Sequence, residues 1–349
     1  MKFDKEKTRK LLVGLATGDC QGITTEFFKD RNIYKLYKKY KKRGWPFTPV
    51  GREQWNMKAG EHSDDTDMAW AVVKSAYQKQ SFDPSDIANN FVKWLHSNPK
   101  DIGNTTHEVL SGIANGSRWN ESGRAFYEGN KQGAANGSLM RNGVINGLTD
   151  DLDEAFEMSL LHGIITHYAP LPVICCAIHT WVIHKLFEGV NPLEDLMWQK
   201  TFFSDWETWL NNSKNEDVIT WKETVGKEDI EEEKQTILKT EFHHYEFNPY
   251  IGNFSRCAGY CLLTLQIALW ALQWALDDKK FLAPMNLPEE VFAKNGVWTL
   301  GWVSLIGYDA DTYAAVTGPL FAAKFGELPK EMTSNLQIHG WWNQLTKEQ

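Results

Sequence analysis

Cysteine is scarce. The 349-residue chain holds five, Cys20, Cys175, Cys176, Cys257 and Cys261. An odd count without a C-x-x-C pair supports neither a disulfide framework nor a thiolate zinc site, and fits a reducing, cytoplasmic setting. Met1 to Lys10 alternates charges where a secretory leader would carry an apolar core, so no export signal is expected. Positive charge is short as well: 37 Lys and Arg face 45 Asp and Glu, a net charge of −8, which is poorly suited to binding a phosphate backbone. No nucleic-acid partner is expected. Uncharged runs are few, and the longest, Cys257 to Leu276, carries Gln266 and Gln273 on one helical face and ends at Asp277-Asp278-Lys279-Lys280. That reads as a buried helix of a soluble protein and not as a membrane span.

Strand-like alternation is also rare, whereas helical periodicity recurs over Thr8–Ala16, Asp67–Tyr77, Ile87–Leu95, Leu171–Phe187, Leu262–Leu276 and Tyr313–Phe325. Gly-Asn or Asn-Gly pairs at 103–104, 115–116, 136–137, 142–143 and 146–147 suit short turns between packed helices. No repeat and no Ser/Pro linker interrupts the pattern, so one compact all-α domain over 1–349 is expected, with residues 187–254 inserted into it. The acidic part of that insertion, Asn211 to Glu241, has Trp206, Trp209 and Trp221 in or beside it. It reads as a surface excursion, a lid or a protein-partner surface. Tyr34 to Arg43, YKLYKKYKKR, reads as a solvated helix face before it reads as a grip for an anion.

The densest chemistry is Ser63-Asp64-Asp65-Thr66-Asp67 at the head of a helical run. Adjacent carboxylates repel and raise one another's pKa unless a cation neutralises them, although a helix N-terminus alone can hold one or two. A second run, Gly307-Tyr308-Asp309-Ala310-Asp311-Thr312, repeats the design before another helix. Hard oxygen donors of this kind suit Mg²⁺, Mn²⁺ or Ca²⁺ and not zinc. If the two helix starts face each other, their oxygens can hold two ions about 3.5–4 Å apart. Gly14-Leu-Ala-Thr-Gly-Asp-Cys-Gln-Gly-Ile-Thr-Thr-Glu26 places an acid just past a tight turn, and Asn136-Gly-Ser-Leu-Met-Arg141 has small residues whose N–H groups a phosphate can approach. His167 reads as a satisfied core histidine or as a ligand contact.

In order, these segments resemble the ADP-ribosylglycohydrolase family. SDDTDMA is similar to its TDDT metal motif, NGSLMR to its NGALMR loop and THYAP to its TH motif. GYCLLTLQIALWAL is similar to GYVVDTLPAALWA, and GYDADTYAAVTGPLFAAKFG to GGDTDTIAAIAGALAGAYYG. The resemblance implies an all-α fold with two Mg²⁺ (or Mn²⁺) held by Ser63, Asp64, Asp65, Asp309, Asp311 and Thr312. Glu26 and Asp65 would handle protons. Gly137, Ser138, Leu139, Met140 and His167 would hold the diphosphate, with Tyr260 near the adenosine. Tyr308 stands where the family has glycine, and its ring would stack on ribose or adenine, or narrow the pocket. The implied activity is removal of ADP-ribose from a protein side chain, arginine first and serine or another acceptor second, or from a free ADP-ribose conjugate. A non-enzymatic alternative is an immunity-type or ligand-binding protein on the same scaffold, acting by occlusion.

Overall fold

The structure, a computed structural model, describes residues 3–28, 30–130, 133–242, 258–276 and 287–341. Among them the secondary structure is helical, with an isolated antiparallel bridge between Arg52 and Met57. The contacts divide the chain into two compact units, Met1–Thr8 with Met68–Thr240, and Arg9–Asp67 with Glu241–Gln349. Helix α1 (Lys5–Gly22), α2 (Asp30–Tyr40) and α3 (Asp64–Lys79) come first in the chain, and the unit boundaries fall within α1 and α3.

The first unit holds α4 (Pro84–Leu95), α5 (Asn104–Ala114), α6 (Glu121–Asn130), α7 (Leu152–Ile164) and α8 (Pro170–Phe187), of which α4 and α7 begin on side-chain caps. Asp83 accepts from the N–H groups of Ser85 and Asp86 with Pro84 in the first turn, and Asp151 accepts from Glu154 N–H at 2.9 Å. α7 packs along α8. α8 is apolar on nearly every face because it is enclosed on nearly every face: it is long and apolar enough to cross a membrane, and 83% of that window is buried inside the protein.

Asn142–Gly147, expected as turns, forms a buried 3₁₀ helix. Its two asparagines supply the reason. Asn142 Nδ2 donates to Cys176 O at 3.0 Å and Thr180 Oγ1 at 2.9 Å, and Asn146 Nδ2 donates to Thr180 O at 3.0 Å. A polar turn can be buried when its side chains are satisfied by the neighbouring helix.

The segment after α8 folds into α9 (Trp198–Asn212), α10 (Glu216–Val225) and α11 (Lys227–Lys239). Trp206, Trp209 and Trp221 are 1%, 5% and 0% exposed, and Trp221 Nε1 donates to Tyr168 O at 2.9 Å. These rings are core, packed within the unit, and cannot form a partner-binding surface. Residues 243–254 of the expected insertion lie outside the described residues.

The second unit contains the greater part of α1, α2, α12 (Cys261–Leu276), α13 (Thr299–Val303), α14 (Ala310–Phe325) and α15 (Lys330–Thr333). α12 packs on α13 and α14. Its two glutamines are satisfied by backbone, Gln273 donating to Phe242 O at 2.7 Å and Gln266 to Glu241 O at 3.3 Å. Asp277, Asp278, Lys279, Lys280 and Cys257 lie outside the described residues. The other four cysteines are buried. The basic run on α2 is a solvated face: Lys35, Lys38, Lys39, Lys41 and Lys42 are exposed, with Lys39 paired to Glu53 at 2.7 Å.

What positions the acids is a seam between α1 and α14. A Cβ on Gly14, Gly18 or Gly22 would meet Gly318 O at 2.6 Å, Ala314 O at 1.9 Å and Ala310 O at 2.2 Å respectively. Contacts that run backwards on one helix as they run forwards on the other define an antiparallel pair. The four-residue spacing of small side chains keeps one face bare, so the backbones touch. The end of α1 is thereby set beside the start of α14.

Candidate active site

Three short segments of the second unit meet where α1 ends. Past Gly22 the chain turns, with Thr25 N–H and Glu26 N–H donating to Gly22 O at 2.9 and 3.2 Å, and brings Glu26 to a site where it is 2% exposed. Phe27 N–H donates to Tyr308 O, and Tyr308 N–H donates to Phe28 O at 3.1 Å, clamping this turn to the loop before α14. Both clamped residues take positive φ, 59° at Phe27 and 57° at Tyr308. That conformation favours glycine, so the tyrosine occupies backbone geometry that suits the glycine of the family pattern. Glu26 and Asp311 then offer carboxylate oxygens within 4.8 Å of each other.

The third segment is the start of α3. Asp19, on α1, accepts from Ser63 N–H at 3.1 Å, from Thr66 N–H at 3.2 Å and from both hydroxyls, and so caps α3 from a different helix. Burial pushes the Asp19 carboxyl up, against the lowering effects of His62 and of the Thr66 and Ser63 hydrogen bonds. His62 Nε2 lies 2.9 Å from Asp67 Oδ1, and its ring meets Trp341 edge-on. Desolvation pulls the His62 pKa down, but the Asp67 hydrogen bond and the charges of Asp67, Asp19 and Glu61 outweigh it and raise the net value.

Asp65 lies at the centre of this charge, fully buried. Burial first, then the charges of Asp19, Asp311, Asp64 and Asp309, hold its carboxyl well above the ordinary range. Ser63 Oγ is 3.0 Å from Asp65 Oδ2, while Asp65 Oδ1 is buried without a hydrogen-bond partner. A buried carboxylate oxygen left unpaired among like charges is costly, and a bound cation would offset the cost. Ser63, Asp64, Asp311 and Thr312 are 3%, 7%, 2% and 5% exposed, and Asp309 is half-buried. The donors are carboxylates and hydroxyls, a set that fits a hard cation. Tyr260 is half-buried just before α12, its carbonyl accepting from Thr264 N–H at 3.0 Å.

The first unit holds the other expected group. Arg141 is fully buried and donates to Gly137 O at 2.6 Å, His162 O at 2.9 Å and Thr166 Oγ1 at 2.8 Å, tying the 136–141 loop to the end of α7. Thr166 Oγ1 is 2.8 Å from His167 Nδ1. Arg141 can only donate, so the threonine proton is available to Nδ1, and in that arrangement the ring proton sits on Nε2. Burial and Arg141 lower His167 to about 3, so the ring is neutral near pH 7. A Cβ on Gly137 would meet His167 Cε1 at 2.7 Å, which explains glycine there. Gly137, Ser138, Leu139 and Met140 are all buried.

Two residues of the site escaped the sequence reading. Asp19 lay inside a quoted motif, but its role as a cap on another helix has no local signal. Arg52, 3.4 Å from Glu26 Oε2, sits in an ordinary-looking turn.

An all-α scaffold with a buried cluster of acids and hydroxyls suited to a hard cation is the class that fold and site define. The sequence profile of the ADP-ribosylglycohydrolase family matches residues 2–348. The chain belongs to that family. It is 30% identical over 183 residues to the ADP-ribosyl-[dinitrogen reductase] glycohydrolase of Rhodospirillum rubrum, a match that covers 51% of this chain and 56% of that one. It is 28% identical over 204 residues to the ADP-ribosylarginine hydrolase Tri1 of Pseudomonas putida, covering 55% and 49%. The protein of the same name in Serratia proteamaculans is 24% identical over 344 residues, covering 95% and 75%. The matches to the first two thus span about half the length of those relatives. A solved chain described as an ADP-ribosylglycohydrolase-related protein complex shares the fold at TM-score 0.62, with 18% identity over 99% of this chain and 97% of that one.

Proposed function

We propose that the protein hydrolyses the N-glycosidic bond between ADP-ribose and an arginine side chain of a modified protein. The observation that carries this reading is the buried, unpartnered Asp65 Oδ1 among the charges of Asp19, Asp311, Asp64 and Asp309, in a chain of this family. Arginine as the acceptor draws support from the names of the Pseudomonas and Serratia relatives; serine-linked ADP-ribose is the alternative. The scarcity of cysteine fits a reducing, cytoplasmic setting.

Ser63, Asp64, Asp65, Asp309, Asp311 and Thr312 would hold two Mg²⁺, and the same donors suit Mn²⁺. Bound there, the ions supply Lewis acidity and orient ribose hydroxyls and water. The chain's own residues do the rest. The backbone of 137–140 and the Nε2–H of His167 would hold the diphosphate, Tyr260 the adenosine half, and Tyr308 would stack on ribose or adenine. As the bond from the anomeric carbon to the guanidine nitrogen breaks, a bond to water oxygen forms and one proton moves from water to the departing nitrogen. Glu26 and Asp65 would hold and pass that proton, and the surrounding carboxylates would balance positive charge developing on the sugar.

The test is incubation of the purified chain with arginine-linked and serine-linked ADP-ribosylated proteins, with Mg²⁺ or with EDTA. Release of ADP-ribose from the arginine substrate only with Mg²⁺ is the expected result; label retained on both substrates refutes hydrolysis.

A further inference from the structure

Glu26 emerges from the α1 turn among acids that would repel it, and the turn formed by residues 51–57 brings a cation to it. Arg52 and Glu26 have side chains only 7% and 3% exposed, and Arg52 Nη1 lies 3.4 Å from Glu26 Oε2. The guanidinium is 3.6 Å from the centroid of the Trp55 ring and 5.2 Å from that of Phe28. A planar cation on an aromatic face is held in orientation as well as in place.

The turn beneath it is fixed by backbone. Arg52 N–H donates to Met57 O at 2.9 Å and Met57 N–H donates to Arg52 O at 3.0 Å, closing the isolated bridge. Gly51 has φ +76°, and a Cβ on it would meet Met57 O at 2.4 Å, so the bridge closes around a residue without a side chain. The Thr24 hydroxyl donates to Gly51 O at 3.2 Å, fastening the turn to the segment that leads into Glu26.

We infer that Arg52 is a positioning residue for Glu26, and that the ring of Trp55 is the platform that fixes it. The inference rests on the hydrolase reading above, in which Glu26 handles the proton. A buried acid next to other acids is driven to whichever rotamer separates the charges; an opposite charge fixed beside Oε2 holds the carboxylate in one orientation. Lysine cannot replace arginine in this role, because an ammonium on a flexible stem cannot stack on Trp55 and reach Glu26 with a fixed edge.

The experiment measures kcat and KM for release of ADP-ribose from the arginine-linked substrate in wild type, Arg52→Lys, Trp55→Phe, Trp55→Leu, Glu26→Gln and the Arg52→Lys/Glu26→Gln double variant, with circular dichroism and free ADP-ribose binding on each. Arg52→Lys is expected to lower kcat by roughly 10- to 100-fold with KM and ADP-ribose affinity unchanged, Trp55→Leu to lower it less, and Trp55→Phe to restore it. In the Glu26→Gln background Arg52→Lys is expected to add nothing, because it acts through the carboxylate already removed. An active wild type with kcat unchanged by Arg52→Lys, a loss confined to KM, or full additivity in the double variant overturns the inference alone. An inactive wild type overturns the hydrolase reading and this inference with it.

Discussion

Asp65 and the buried histidines bend stability in opposite directions with pH. Asp65 is more easily protonated in the folded chain than in the unfolded one, so its contribution is fully present below the ordinary carboxylate pKa and is lost as pH rises through the folded value. Without divalent ions, Asp65→Asn is therefore expected to be more stable than wild type at pH 8, by about 1–3 kcal/mol, and to lose the stabilisation that Mg²⁺ gives. Thermal melts with and without Mg²⁺ check both. His162 and His167 run the other way: burial, aided by Arg141, keeps each ring neutral, His167 down to about 3. Their contribution is complete above the unfolded pKa of about 6.5 and is lost as pH falls below it, by up to about 1.4 kcal/mol per pH unit for each ring. Urea unfolding between pH 7.5 and 5 is expected to show a slope shallower by that amount in His167→Gln. Tyr308→Gly relaxes a left-handed backbone. It is expected to leave the melting temperature undiminished while weakening ADP-ribose binding by about 1–3 kcal/mol, the worth of base stacking on an aromatic ring; calorimetric titration separates the two.

Among the elements, the α1–α14 seam is the one most sensitive to small changes. Gly18→Ala adds one methyl where the nearest atom is Ala314 O at 1.9 Å. The expected cost is about 3 kcal/mol in urea unfolding, together with a diminished response to Mg²⁺ as Asp311 moves relative to Glu26. Helix periodicity made α1, α3, α4, α8, α12 and α14 legible, because a buried stripe repeats with the helix turn. The acidic helix starts were legible because so many carboxylates in so few residues demand a compensating charge. Asp19 and Arg52 were not, since a cap lent by another helix and a cation stacked on a turn depend on contacts that local pattern does not encode. Trp206, Trp209 and Trp221 misled for a related reason: beside an acidic, polar stretch they read as surface, yet α9 and α10 turn them inward to the core.

At the scale of the whole molecule, a net charge of −8 coexists with a buried knot of carboxylates. Saturating Mg²⁺ at a hundred times its dissociation constant is expected to stabilise the fold by about 2.7 kcal/mol, and EDTA to remove that gain; calorimetric scans at several Mg²⁺ concentrations measure it. The bare stripe of Gly14, Gly18 and Gly22 has a bearing on how such a chain can evolve. One extra residue between Asp311 and Ala314, inside the helix, would rotate Asp309 and Asp311 relative to the stripe by about 100° of helical screw, and one in the turn between Gly22 and Glu26 would displace that acid from its neighbours. Those few positions behave as an inextensible gauge.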